Sequence, residues 1–416
     1  MSQHWDTIDH FVPADSCNKR MLQMSAMPRA VDKLQAQMGN VRLTAMLHAG
    51  FILTGVVNTM LGPMLPVLSA RWALSDARAG YLFTAQFSGS MLGVMGSSFL
   101  MSRRGHRISL ISGLGLMALG SATLLAASWT LGMLATVCFG IGLGLTIPTT
   151  NLLISELNPE KRAAALNLIN LSWGVGAVSC PFFVAALLRM HRTSLMLYGV
   201  AALLSLAAAG MIRASFPVFS PQLDNVSRME EGLWRSRWVP IIGALFFFYI
   251  GSEAGVTGWI ATYAQRMVAG AGTAWVLTPS LFWTALLLGR ATAPVLLRHV
   301  QELKLAEFGL VLSMVGIVVL LGARDLSVVA IGISLAGMGF SSVFPVAIAT
   351  LSRKFGSRAS QIAGVMFALA GAGGATLSWL AGYTSTMFGS LRYGLLVPLF
   401  GCIVMLTLNA QLSKRE

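Results

Sequence analysis

One carboxylate stands in the middle of a long apolar run. Phe246 to Gln265 reads FFFYIGSEAGVTGWIATYAQ, and Glu253 is its only acid. No other Asp or Glu in the chain lies so deep in an apolar stretch. A charged side chain at the centre of a bilayer costs about 2.5–3.5 kcal/mol on insertion scales, so an acid there is paired, protonated or facing water. Proton coupling or substrate contact is the chemistry such a group offers. The alternative is an acid bonded to a hydroxyl on a neighbouring helix. Gly251, Gly255 and Gly258 thin the helix around Glu253, and Trp259 and Tyr263 add aromatic surface with polar tips.

Other polar side chains are costly in the same way and so mark candidates. Asn58, Gln86, Asn167 and Asn170 offer amides, and Trp173, Trp259 and Trp283 offer aromatic faces. Asn167, Asn170 and Trp173 recur every three residues, which places them on one side of a helix as an amide–amide–indole ledge. All seven are expected to bind substrate; the alternative for the amides is bonding between helices. Asn151 reads as packing or gating. Arg290 lies about 12 Å from the end of its helix at ~1.5 Å per residue. Two positions are open to it: reaching for the cytoplasmic end of its helix, or approaching Glu253. A persistent pair would hold Glu253 ionised, whereas an apolar setting would let it cycle a proton; the second is preferred, and Arg290 is expected to gate.

These groups need a membrane scaffold to hold them. The 416-residue chain is 55% hydrophobic and 11% charged, against about 25% charged in soluble domains. Its mean hydropathy of +0.72 fits a polytopic membrane protein. Twelve apolar spans are expected, at 44–69, 77–101, 107–127, 129–155, 162–188, 194–212, 237–265, 275–297, 305–322, 326–351, 359–387 and 391–412. The longest polar break follows the sixth. The reading is therefore an all-α protein of two six-helix bundles, 44–212 and 237–412, with a tail at 1–43 and a linker at 213–236.

The net charge of +14 does not point to nucleic acid, because the basic residues sit in short loops. With the N-terminus inside, 21 of the 29 Lys and Arg fall on the inner side and 7 on the outer, which puts both termini in the cytoplasm. The first 40 residues are polar and carry no early apolar core, so no signal peptide is expected. The cysteines are far apart, His4 and His10 form no metal-spaced cluster, and no cofactor is called for. Gly371-Ala-Gly-Gly-Ala lacks the preceding strand and following Lys of a phosphate loop, and no Ser-His-Asp set is present, so no enzyme is expected.

The loops repeat. GSSFLMSRRGHR follows the second span and GRATAPVLLRHVQ the eighth; LNPEKRAAALNLIN follows the fourth and LSRKFGSRASQIAG the tenth. With twelve spans, this layout resembles the major facilitator superfamily. Its signature loop after the second helix is kept at Arg103, Gly105 and Arg107, while Ser102 and Ser98 replace an Asp and a Gly. The resemblance implies that Arg103 and Arg107 act as a gating latch. Within the superfamily, Gly142 to Pro181, Tyr249 to Ala264 and Gly337 to Ser352 are similar to the fucose–proton symporters and the sodium-dependent glucose transporters related to them. This implies secondary active sugar transport by alternating access, with a hexose and a proton as partners, sodium as the alternative ion, and a monomer in a bacterial-type inner membrane. The acids that fucose symporters carry in the first and fourth helices fall at Gly62 and Ile147, which leaves Glu253 as the proton site. A drug or amphipath exporter and a non-transporting sensor are the competing functions.

Overall fold

The computed structural model describes the backbone of residues 14–125, 128–216, 236–267 and 272–413, and side chains from residue 40 apart from 357, 360 and 361. Residues 1–13 of the expected tail and 217–235 of the expected linker lie outside this set. The first half consists of α1 (Ala14–Trp72), α2 (Asp76–Thr123), α3 (Trp129–Leu157), α4 (Arg162–Arg189) and α5 (Thr193–Arg213). The second consists of α6 (Trp238–Met267), α7 (Thr278–Leu296), α8 (Glu302–Gly322), α9 (Leu326–Phe355), α10 (Ala359–Phe388) and α11 (Leu391–Ser413). A 3-10 turn, Ala274–Leu277, leads into α7.

Among the described residues, nine helices are long and apolar enough to cross a membrane. The two that fall short, α2 and α7, carry Gln86 and Arg290. At 48 residues α2 would be about 72 Å long if straight, far more than one crossing needs. It is instead two arms. Gly89 packs on Val137 and Gly140, and Gly93 on Ile141 and Gly144, so the first arm runs parallel to α3. Gly113 packs on Gly142 and Thr146, and Gly120 on Ala135 and Phe139, so the second arm runs antiparallel to it. The chain reverses at Gly105, whose φ of 78° and ψ of 172° belong to a region that only glycine adopts readily. With α2 crossing twice, the expected twelve crossings are present.

The second half repeats the plan. Gly337 meets Phe282 and Gly289 meets Ser341, which sets α7 parallel to α9; Gly309 meets Gly339 and Gly316 meets Gly332 and Ala336, which sets α8 antiparallel to it. Likewise α1 packs on α4 through Gly55 and Gly176, and α6 on α10 through Gly251 and Gly373. These are pseudo-symmetric bundles. They meet where α1 faces α6, α4 faces α7, and the first arm of α2 faces α10.

Gly105 is the test of the reversal. Gly105→Ala is expected to destabilise the protein by about 1–3 kcal/mol in detergent denaturation. Gly115→Ala, whose new methyl meets nothing within 4 Å, is expected to show no loss.

Candidate functional site

The three contacts between the bundles enclose a cavity of about 290 Å³. That is the lower end of the ~300–1,000 Å³ usual for small-molecule pockets. On α6 the wall follows helical spacing from Glu253: Ile250 lies three residues before it and Thr257 four after, and all three line the cavity. Glu253 is partly buried. Its Oε2 is shut from solvent with no hydrogen-bond partner, and so is Nε of Arg290 on α7. Tyr249, one turn before Glu253, and Arg290 are its polar neighbours. Arg290 thus faces the cavity beside Glu253 instead of reaching for the helix end.

The first half supplies amides. Gln86 is buried and donates from Nε2 to the Asn58 carbonyl at 3.0 Å and to Asn58 Oδ1 at 3.4 Å. This leaves the Asn58 Nδ2 group and Gln86 Oε1 available. Asn170 on α4 lines the cavity and is exposed. Trp173, one turn further, meets Trp283 of α7 edge-on with ring centres 5.3 Å apart, an aromatic pair with one ring from each bundle. Gly62 and Ile147 also line the cavity, so the wall is apolar where the sequence resemblance places acids.

The structure therefore brings together Asn58, Gln86, Asn170, Trp173, Trp283, Glu253 and Arg290. It leaves two expected residues outside. Asn167 is exposed one turn nearer the start of α4, beyond the cavity wall. Trp259 is 1% exposed, and its Nε1 donates to the Ser378 carbonyl at 2.8 Å. Six residues from Glu253, Trp259 faces away from the cavity and packs α6 against α10. Thr59, Thr257 and Phe344 join the lining. Thr257 was legible as the i+4 neighbour of Glu253; nothing in the sequence marked Thr59.

Asn170 lines the cavity, is exposed, and stands two turns from Arg162, near the end that bears Arg103, Arg107, Arg162 and Arg353. At that end Arg103 lies over the Phe99 ring, 4.4 Å from its centre, and Arg107 donates to the Ile212 carbonyl, both contacts within the first bundle. His106 pairs with Glu156 at 3.4 Å, and Arg353 with Glu302 at 2.7 Å, again within single bundles. The far end is tied across the bundles. Asp76 of α2 takes two bonds from Arg266 of α6, at 2.6 and 2.7 Å, and one from Ser385 of α10 at 2.6 Å. Ala77 N donates to Thr386 Oγ1 at 2.8 Å, and Arg189 Nε to Thr273 Oγ1 at 2.6 Å. Asp76 and Arg266 did not stand out in the sequence because each sits at a helix end among ordinary loop charges.

Comparison with known proteins follows this geometry. The family model described as Major Facilitator Superfamily matches residues 47–378. The chain is 22% identical to the L-fucose-proton symporter of Escherichia coli, over 89% of this chain and 93% of that one. It is 20% identical to the glucose/mannose transporter GlcP of Bacillus subtilis, over 81% and 86%. The crystal structure of a D-xylose-proton symporter superposes with a TM-score of 0.73 at 16% identity, covering 88% of this chain and 96% of that one.

The Asp76 tie has a measurable consequence. In a cysteine-free background, Asp76→Asn is expected to raise labelling of Thr257→Cys, inside the cavity, by a membrane-impermeant thiol reagent added on the Asp76 side. Thr136→Ala, which removes a bond within one helix, is expected to leave that labelling unchanged.

Proposed function

Because this chain belongs to the Major Facilitator Superfamily and is a multi-pass secondary transporter, we propose that it moves a hexose such as glucose by alternating access, coupled to protons through Glu253. The observation that carries this reading is the cavity: amides and a tryptophan pair around a small volume, with one carboxylate and one guanidinium in its wall. Amides bond hydroxyls as donor and acceptor, and an indole face covers the C–H patch of a pyranose. A hydroxyl ligand also suits a wall where buried polar atoms wait for partners, since leaving them unpaired costs about 1–3 kcal/mol each. The fucose and glucose/mannose relatives support the substrate class.

Glu253 is the acid lining the cavity among the described residues. It stands between the bundles, so rocking them about the cavity would expose it to each side in turn. A proton bound there travels with the sugar. Arg290 then offers a partner to Glu253 when the proton has left, which keeps an ionised acid from standing alone in the bilayer. The bundles are taken as 44–212 and 237–412, joined by a linker at 213–236. The excess of basic residues on one side supports both termini in the cytoplasm, and the bacterial relatives support an inner membrane. The cavity then opens inward, with Asp76 and Arg266 closing the outer face. One chain holds the whole cavity, so a monomer suffices.

Uptake of a radiolabelled hexose panel into proteoliposomes tests this reading, with a pH gradient and a sodium gradient imposed separately. One hexose is expected to accumulate with the proton gradient. Dependence on sodium keeps the sugar and moves the ion site; no uptake under either gradient overturns the sugar reading. Glu253→Gln is expected to abolish gradient-driven accumulation and leave exchange of labelled for unlabelled sugar in place. Unchanged accumulation removes Glu253 from coupling. Asn170→Ala is expected to weaken sugar binding about fivefold, the effect of one net hydrogen bond near 1 kcal/mol.

A further inference from the structure

Two asparagines on neighbouring helices settle which way the α4 wall of the cavity turns its amide. Asn151 of α3 donates from Nδ2 to the Ile147 carbonyl at 2.9 Å, one turn back in its own helix. Asn170 of α4 donates from Nδ2 to the Leu166 carbonyl at 2.8 Å and to Asn151 Oδ1 at 3.1 Å. A backbone carbonyl only accepts, so each side chain must direct its NH₂ at its own helix. Inverting Asn170 would set its oxygen against two acceptor oxygens. Inverting Asn151 would set its oxygen against Ile147 O and its NH₂ against that of Asn170. The pair has one consistent arrangement. Both N–H groups of Asn170 are spent in it, and Oδ1 is what the side chain has left. Asn170 lines the cavity; Asn151 stands behind it, half-buried.

Two of the facing walls, α1 and α7, offer donors, while Gln86 Oε1 on α2 and Glu253 on α6 add acceptors. Gln86 Nε2 takes up Asn58 Oδ1, which leaves Asn58 its NH₂. Arg290 is a donor with no acceptor capacity, and its Nε is unpartnered. Acceptor capacity on α4 thus faces donor capacity on α1 and α7.

We propose that Asn151 is a positioning residue: it holds Asn170 as a pure acceptor, so the transported molecule must present a hydrogen-bond donor to α4. The inference rests on the cavity being the sugar site and sharpens what that site selects. A hydroxyl donates to Asn170 and still accepts from Asn58 or Arg290. A fluorine or ether oxygen in its place accepts only, and meets the Asn170 oxygen with no bond. Polyhydroxylated ligands pass this requirement, and ligands with acceptors alone on that face do not.

The experiment compares binding of D-glucose and its monofluoro-deoxy analogues by calorimetry in nanodiscs, for the wild type, Asn151→Leu and Asn151→Asp. At one ring position the fluoro analogue is expected to bind wild type about fivefold more weakly than glucose, the loss of one net hydrogen bond near 1 kcal/mol. In Asn151→Leu that gap is expected to fall below about twofold, because the N–H that Asn151 held is then unspent, while the Leu166 carbonyl keeps the other. Asn151→Asp, whose protonated OH takes over the bond to the Ile147 carbonyl, still places an oxygen against Asn170 and is expected to keep the gap, which a purely structural role would not predict. A gap unchanged in Asn151→Leu, or no gap at any position in the wild type, overturns the proposal. If the wild type binds no D-glucose, the hexose reading has failed separately. The amide order is then read without ligand, by hydrogen exchange of the ¹⁵N-labelled Asn170 side chain: slow exchange that speeds up in Asn151→Leu supports the positioning role, and equal exchange overturns it.

Discussion

Helices in lipid gain little from the hydrophobic effect, since lipid tails are as apolar as leucine, and so close backbone contact must hold them together. Glycine supplies that contact here, and it does so differently within and between the bundles. Within each bundle, glycine meets backbone: Gly89 and Gly140, Gly142 and Gly113, Gly309 and Gly339, Gly373 and the Phe247 carbonyl. Between bundles, glycine more often makes a notch for a side chain. Gly374 takes Phe87, Gly371 takes Met91, and Gly174 takes Leu287. Flexible side-chain tips in notches can slide out and repack, whereas interlocked backbones cannot. Backbone contacts cross the seam too, at Gly62 with Thr257 and Gly258 and at Gly80 with Trp379, so the seam mixes both kinds of contact, and the cavity lies on it.

Much of this was legible in the chain because a bilayer restricts a spanning segment to so few forms. Apolar runs of about 20 residues must be helices there, with every backbone group satisfied internally. The Arg103–Arg107 turn was readable as a loop, and its glycine proved to be the residue the reversal requires. Site residues were readable to the extent that they were polar and deep. Asn58, Gln86, Asn170, Glu253 and Arg290 all meet at the cavity. What failed was the assignment of faces. Trp259 and Trp283 look alike in sequence, but Trp259 turns away from Glu253 by its six-residue offset and Trp283 faces a tryptophan of the other bundle. Asn167 and Asn170 share a helix face, yet the cavity ends between them, and where a cavity ends depends on helices far off in sequence.

The tie at Asp76 illustrates another limit of sequence reading. Its carboxylate is joined to Arg266, 190 positions along the chain, and to Ser385, 309 positions along. Neither spacing carries a signal, and each partner is an unremarkable residue at its own helix end. Only the pseudo-symmetric packing, which brings α2 against both α6 and α10, turns three loop-edge residues into one contact.

That contact has a strength suited to its place. The Arg266 side chain remains 48% exposed while Asp76 is 10% exposed. Water takes up the exposed guanidinium when the pair parts, but the bidentate geometry and the Ser385 bond to a nearly buried carboxylate lift the tie above the ~0–1 kcal/mol of a pair between two exposed groups. A pair sealed between the bundles would cost several times more to break by leaving a charge unpartnered and buried, and would trap the closed end shut. A transporter has to visit both conformations, and the minor state is accessible only if the two differ by a few kcal/mol. Shallow ties such as Asp76–Arg266 and Arg189–Thr273 hold one end closed without committing the protein to it. The groups that are expensive to leave unpaired, Glu253 and Arg290, sit instead at the cavity wall, where a ligand or a proton can change their partners.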